Sequence, residues 1–243
     1  MSDIMAFIPA RSGSKSVVHK NIKLLKNHPL IAYSVRAACL TRGIDRVIVS
    51  TDSENYADIS KKYGAEVPFL RPAKFAQDQS GDIDWILHAL NWLKKEEGIS
   101  PRLIVHLRPT TPLRQPRVIE QALQAIELNP EATALRSVHE MSQTAYKCFE
   151  KDGDYLACIC SSMRDIESTN LGRQSFPKTY EPNGYVDILK TDFFLRHNKI
   201  HGDRVVAFQT DRVCDVDTPE DFRYLEYQVN QNIKLYNEFF KSA

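Results

Sequence analysis

The sequence predicts an α/β protein with a mostly parallel sheet and helices on both faces. Two observations lead there. Short apolar runs alternate with stretches of helical periodicity along most of the chain. Polar, reactive residues follow those runs, at Arg11 to Lys15, at Thr51-Asp52 and at Arg108-Pro109-Thr110. Open α/β sheets bind ligands at the carboxyl ends of their strands, where these residues would lie.

The elements follow in order. Ile4 to Ile8 is wholly apolar and reads as a buried strand. Pro29 to Leu40 reads as a helix with proline in its first turn, ending near Gly43. Arg46 to Ser50 is a second strand, and Glu54 to Tyr63 a helix closed by Gly64. Ser80 to Lys95 places Ile83, Ile86, Leu87, Leu90 and Leu93 at helical spacing. Leu103 to Leu107 is a third strand, Val118 to Leu128 a helix and Thr133 to Val138 a strand. The alternation fails over 139–182, where short β-like pieces, Ala145 to Phe149 and Tyr155 to Cys160, precede the polar loop SSMRDIESTNLGRQSFPKTYEPNG. That stretch reads as a β-rich arm inserted into a single 1–243 domain. Asn183 to Lys190 and Arg204 to Gln209 resume as strands, and Thr218 to Phe240 reads as one closing helix.

The net charge of +1 excludes a global basic field for nucleic acid, so anion binding must be local. No cationic leader and no long apolar segment is present, which gives a cytoplasmic reading with no membrane contact. The five cysteines are odd in number and irregularly spaced, which argues against a disulfide framework or a zinc site. The seven histidines lack metal-like or triad-like partners, so His19 and His106 read as surface or packing residues.

The stretch IPARSGSKSVVHKN concentrates Arg11, Ser12, Ser14, Lys15, Lys20 and Asn21 in one connection, with Gly13 permitting close backbone approach. This is the composition a phosphate chain needs. Neither GxxxxGK[ST] nor GxGxxG is present.

Read together, ARSGSK…KN, STD, LRP, RPTTPLR, RQSFPKTYEPNG and DVD, in that order, resemble the CMP-sialic acid synthetases, the acylneuraminate cytidylyltransferases. The resemblance runs from Ile8 to about Phe222. It implies a Rossmann-like sheet of the nucleotide-diphospho-sugar transferase type. It also implies coupling of CTP to a nonulosonic acid with release of pyrophosphate, a divalent cation such as Mg²⁺, and a homodimer whose inserted arm covers the partner's sugar site. By the same resemblance Arg11 and Lys15 hold the β- and γ-phosphates, with Ser12, Gly13, Ser14, Lys20 and Asn21 completing the loop. Arg71 and Ser80 match nucleotide-pocket positions, Ser80 reading equally as the N-cap of the following helix. Asp215 and Asp217 match the metal aspartates, and two carboxylates at i and i+2 of a strand end point the same way. No general base stands out in the sequence: a metal-bound hydroxide and Asp217 are the candidates, with helix capping as the structural alternative for Asp217.

Arg108, Thr110, Arg173, Gln174, Lys178, Tyr180 and Asn183 match sugar-site positions. Arg108 departs from the glutamine that many members carry in QPTSPLR. A guanidinium there suits a carboxylate or an altered N-acyl neighbour, which opens the choice of acid to a legionaminate-like or amino-substituted sugar. Arg114 reads as an anchor for the next helix, and Phe193 and Phe194 either line an acyl pocket or fill a helix core. The competing readings are a KDO-type cytidylyltransferase, whose QGDEP-type motif is absent here, and a non-catalytic nucleotide- or sugar-binding protein.

Overall fold

The computed structural model describes residues 3–160 and 165–241; positions 161–164 of the polar loop lie outside the described residues. Strand β1, Ile4–Pro9, is followed by a short hairpin of β2, Leu24–Leu25, and β3, His28–Pro29. Helix α1 spans Leu30–Leu40, β4 Arg46–Ser50 and α2 Glu54–Lys62. Then come α3, Asp82–Trp92, β5, Leu103–His106, and α4, Pro116–Glu127. β6, Ala134–Glu140, precedes the arm hairpin of β7, Phe149–Asp152, and β8, Tyr155–Cys158. The chain closes with β9, Tyr180–Lys190, α5, Thr191–His197, β10, Val205–Gln209, α6, Pro219–Gln231, and α7, Ile233–Phe240.

The main sheet has six strands in the order β10-β6-β9-β5-β1-β4. β1 pairs in parallel with β4 and β5, and β10 with β6, while β9 runs against both neighbours. The sheet is therefore mostly parallel, as predicted. β9 enters it from the arm without a crossover helix, so it arrives antiparallel.

Each face is sealed by helices. Ala6, Ile8, Val105 and Ile188 point to one side, where α1, α4, α6 and α7 pack. Met5, Phe7, Ile104 and Leu189 point to the other, against Trp85, Ile86, Ala89 and Leu90 of α3 and Phe194 of α5. The alternation along β1 and β5 matches the strand period of two, and because both faces are covered the strands read as unbroken apolar runs. Each fully buried Ile or Phe here contributes on the order of 1.5–3 kcal/mol. In α4 the apolar face is Ile119, Ala122, Leu123 and Ile126, with Pro116 in the first turn.

Several expectations need correction. Ala145 to Phe149 is not a strand: Ala145–Lys147 forms a 3₁₀ turn and β7 begins at Phe149. The closing helix is two helices, because Asn232 ends α6 and its side chain accepts from Leu235 N to start α7. Glu140 and Tyr180 pair across β6 and β9, so 139–140 and 180–182 belong to the main sheet and the arm proper is shorter than 139–182. Phe194 fills the core, while Phe193 lies at the amino-terminal end of the parallel strands, beside Arg102 and Thr133. No described helix is long and apolar enough to cross a membrane.

Candidate active site

The loop after β1 is held from three directions. Asp52, just beyond β4, accepts from Ser12 N at 2.8 Å and from Ser12 Oγ at 2.7 Å. Asn21 Nδ2 donates to Arg11 O at 3.0 Å. Lys20 Nζ donates to Val216 O at 2.6 Å and meets Asp217 Oδ1 at 3.3 Å. Lys20 and Asn21 thus brace the loop. Ser14 closes a small turn on Ser12 O. A Cβ added at Gly13 would meet nothing within 4 Å, so the loop surface there is open to a ligand.

Arg11 and Lys15 face outward and meet one carboxylate. Arg11 Nη1 lies 2.7 Å from Asp78 Oδ1, and Lys15 Nζ pairs with Asp78 Oδ2. Lys15 and Arg11 together hold the Asp78 carboxyl below its ordinary range. An acid between two cations of this loop occupies the electrostatic position a phosphate would take. Asp78 stands in DQSGD, and its role was invisible in sequence because the two cations are more than sixty residues away (|i−j| is 67 for Arg11). The same turn settles Ser80. Its Oγ accepts from Gln77 N and donates to Lys74 O, while the N-cap of α3 is Gly81. Ser80 is therefore not the helix cap; it shapes the turn that presents Asp78.

Arg71 is buried behind this loop. Its guanidinium donates to Ser50 Oγ at 3.0 Å and Ser50 O at 2.6 Å, and it lies over the Trp85 ring at 5.3 Å. Burial brings its pKa down to about 10, opposed by Asp52 and Asp82. It remains a cation at neutral pH.

Arg108 follows β5 and is engaged by two carboxylates. Nη1 meets Asp187 Oδ2 at 2.8 Å and Nη2 meets Asp82 Oδ2 at 2.9 Å. Asp187 is 1 % exposed and also faces Arg136 at 3.9 Å and His201 at 3.7 Å. Burial opposes its charge, but His201, Arg108 and His106 outweigh burial and hold the carboxyl well below the usual range. The expected partner of Arg108, a carboxylate, is thus supplied by the chain itself. The pairing joins residues 79 apart, and Asp187 carried no motif to reveal it.

His106, across the sheet from Asp187, is fully buried, with its ring 5.2 Å from that of Trp85. Neither ring nitrogen has a hydrogen-bond partner among the described residues. Burial, then Arg108, push its pKa from the usual 6.5 down to about 4. A folded-state pKa below the unfolded one means that the unfolded chain binds the proton more readily. Stability from this residue is therefore complete above about pH 6.5 and lost as pH falls toward about 4. Urea unfolding should show a falling free energy across that window, and His106→Leu should flatten the fall.

Arg114 is fully buried and makes four hydrogen bonds, to Tyr185 O, Ser34 Oγ, Arg108 O and Gly184 O. It anchors the 108–114 loop, α1 and β9 together, more than the helix that follows. Beside it the β6–β9 register shifts between Arg136 and Val138, and Gly184 in that irregularity has φ of 64°. A bulge re-aims the strand, and here it turns Asn183 inward, where Nδ2 donates to Thr210 Oγ1 at 2.7 Å.

Asp215 and Asp217 are both exposed on either side of buried Val216, whose N donates to Thr110 O at 2.9 Å. They sit in an irregular segment before α6, where the expectation placed a strand end. Helix capping does not engage Asp217: Thr218 caps α6, in a reciprocal box with Asp221. Both aspartates line a cavity of about 640 Å³ with Asn183, Arg212, His139 and Tyr224. Cys214 also lines it, but burial, Asp221 and Asp215 push its thiol up to about 11, so it stays protonated. No described group of three or more His, Cys, Asp or Glu could hold a metal. Two carboxylates nevertheless suit Mg²⁺, which takes hard oxygen ligands and keeps sites for water and phosphate.

Arg173, Gln174 and Lys178 line a different cavity, of about 410 Å³, within the arm. Arg173 Nη2 and Lys178 Nζ both pair with Glu140, at 2.5 and 2.7 Å. Tyr180 is exposed at the start of β9. The expected sugar residues therefore divide: Asn183 lies with the aspartates, Arg108 is locked in the sheet, and the arm set stands apart.

Residues 5–240 match the profile of the family described as cytidylyltransferase. Post-translational flagellin modification protein B of Campylobacter coli is 32% identical over 95% of this chain and 97% of its own length. N-acylneuraminate cytidylyltransferase of Escherichia coli O18:K1:H7 is 32% identical over 90% of this chain and 50% of its own. CMP-N,N'-diacetyllegionaminic acid synthase of Campylobacter jejuni is 29% identical over 95% and 96%. Among solved structures, CMP:2-keto-3-deoxy-manno-octonic acid synthetase complexed with CTP superposes with a TM-score of 0.70 over 95% of this chain and 99% of that one. At 15% identity that likeness shows the fold.

Proposed function

Because the chain belongs to the cytidylyltransferase family, we propose that it couples CTP to a nonulosonic acid, giving the CMP-sugar and pyrophosphate. The observation that carries this is the Lys20 bridge. It ties the loop of Arg11 and Lys15 to Val216 and Asp217, joining a triphosphate cradle to a carboxylate-lined cavity. The relatives that take nonulosonic acids support the acceptor class.

The acceptor's anomeric 2-hydroxyl oxygen attacks the α-phosphorus of CTP. The bond from that phosphorus to the bridging oxygen of the β-phosphate breaks, and pyrophosphate leaves with the electron pair. Arg11 and Lys15 bind the β- and γ-phosphates and stabilise the charge that develops there. Phosphate takes the place of Asp78 on both cations. Asp217, on the cavity wall, accepts the hydroxyl proton. Asp215 and Asp217 would hold Mg²⁺, which when bound neutralises charge on the phosphate oxygens. Arg71 and the turn containing Ser80 border the nucleotide side.

A homodimer suits the divided sugar residues, since a second copy's arm would bring Arg173, Gln174 and Lys178 to this chain's cavity. The arm's exposed Tyr155, Leu156 and Leu171 support such contact. The free cysteines fit the cytoplasm.

Pyrophosphate release is the test. With N-acetylneuraminic acid, N,N'-diacetyllegionaminic acid and further nonulosonic acids, CTP should support release and ATP, GTP and UTP should not. Equal release from all four nucleotides would contradict the cytidylyl reading.

A further inference from the structure

We infer that the hydrogen bond between His19 and Tyr56 is a second tether of the phosphate loop, and that it positions Lys20 and Asn21 to brace that loop. The inference deepens the reading of the loop as a triphosphate cradle and rests on it.

The two tethers end on one corner of the fold. At the start of the loop, Ser12 is held by Asp52, just beyond β4. At its end, His19 Nδ1 lies 3.2 Å from Tyr56 Oη, with the two rings edge to face. Tyr56 stands in the first turn of α2, is 1 % exposed, and is fixed by its own backbone, whose N–H donates to the cap residue Ser53. Burial and then Asp52 push the Tyr56 hydroxyl's pKa up, so it keeps its proton and can donate to Nδ1. Between the tethers only Val17 is buried, so the span that carries Gly13, Ser14 and Lys15 depends on its two ends for its shape.

The backbone at His19 shows why the second end needs a side chain. His19 has φ 52° and ψ 34°, a left-handed conformation that L residues rarely adopt and glycine adopts freely. The turn has consequences for both braces. The His19 carbonyl accepts from Ile22 N at 3.0 Å and from Lys23 N at 3.1 Å, which opens the 3₁₀ turn Lys20–Ile22. From that turn Lys20 reaches Val216 O and Asp217, and Asn21 reaches Arg11 O. The imidazole makes no capping bond to the turn itself. Its partner is Tyr56, so a glycine at this position would permit the turn but would not fasten it to α2. His19 is a positioning residue: it acts on phosphate through Lys20, Asn21 and Arg11.

Three variants test this: Tyr56→Phe, which removes one hydroxyl and keeps the buried ring, His19→Ala, and the two together. Calorimetry should show Kd for CTP raised roughly 3- to 10-fold in Tyr56→Phe, the scale of one hydrogen bond. Pyrophosphate release should show kcat/KM for CTP reduced in the same proportion, with KM for the nonulosonic acid within about twofold of wild type. His19→Ala should lose at least as much, because it also leaves a β-carbon in the left-handed turn without its tether. In that background Tyr56→Phe should have no further effect, since the bond is already gone. An unchanged Kd for CTP in Tyr56→Phe, even with a lower melting temperature, would make the pair a purely structural contact and overturn the inference. So would losses that multiply in the double variant, or a KM for the acid that rises as much as that for CTP. Wild-type protein that binds no CTP would instead defeat the reading of the loop as a triphosphate cradle, and this inference with it.

Discussion

Arg11→Ala lowers kcat on the order of 10²- to 10³-fold, the scale seen when one preorganised donor to a developing charge is removed. The reason lies in where Arg11 points. Its backbone is fixed by Asn21 and its neighbour Ser12 by Asp52, so the guanidinium projects from a braced loop. In the proposed reaction that donor would face the leaving pyrophosphate, and its strength would matter most as the bond to the α-phosphorus breaks. Thermal stability should be unchanged, because the Arg11–Asp78 pair is exposed and such pairs contribute little. Lys15→Ala should act in the same direction with a smaller effect, since its side chain is 81% exposed and less constrained. Asp78→Asn separates the roles: it removes the acid that competes with phosphate, so CTP binding tightens while kcat stays near wild type. Stopped-flow pyrophosphate release on the three variants checks the set, and unaltered turnover in Arg11→Ala would remove Arg11 from the phosphate site.

Arg114→Ala should cost at least about 3 kcal/mol of stability, because it leaves several buried acceptors without donors and opens a cavity. The residue is fully buried and holds Tyr185 O, Ser34 Oγ, Arg108 O and Gly184 O at once. Burial pulls its pKa down to about 9, still above neutral pH. The charge is retained because the four acceptors are directed at it. For a chain of this size the loss corresponds to roughly 6–12 °C in Tm. Arg114→Lys cannot repair it, since one ammonium lacks the reach and the fork geometry. Calorimetry would show whether the melting point falls; a shift under about 2 °C would mean that the 108–114 loop and β9 hold together without Arg114.

Much of this was legible in the sequence. Strands such as Ile4 to Ile8 and Leu103 to Leu107 declared themselves because burial on both faces leaves no polar positions. That Arg11 to Asn21 form one basic connection after β1 was legible because these residues are local in sequence. What escaped was long-range. Whether β9 runs parallel or antiparallel depends on how the arm returns the chain to the sheet, which no local pattern encodes. The engagement of Arg108 by Asp187 and Asp82 likewise depends on β9 lying beside β5. The sequence showed a guanidinium where an amide is common, but not the two acids that neutralise it. The cap reading of Ser80 failed, and Asp78 went unnoticed, for a related reason: a polar turn before a helix looks like a cap, and the turn that ends at Gly81 instead presents Asp78 to Arg11 and Lys15.

The central claim is that the Lys20 bridge joins a triphosphate cradle to an acceptor cavity in one cytidylyltransferase site. Mass spectrometry of the reaction with CTP, Mg²⁺ and a nonulosonic acid, alongside a pyrophosphate count, tests it most directly. One CMP-linked sugar should form for each pyrophosphate released. Pyrophosphate accompanied by free CMP and unchanged acid, or no consumption of CTP with any acid, would contradict it.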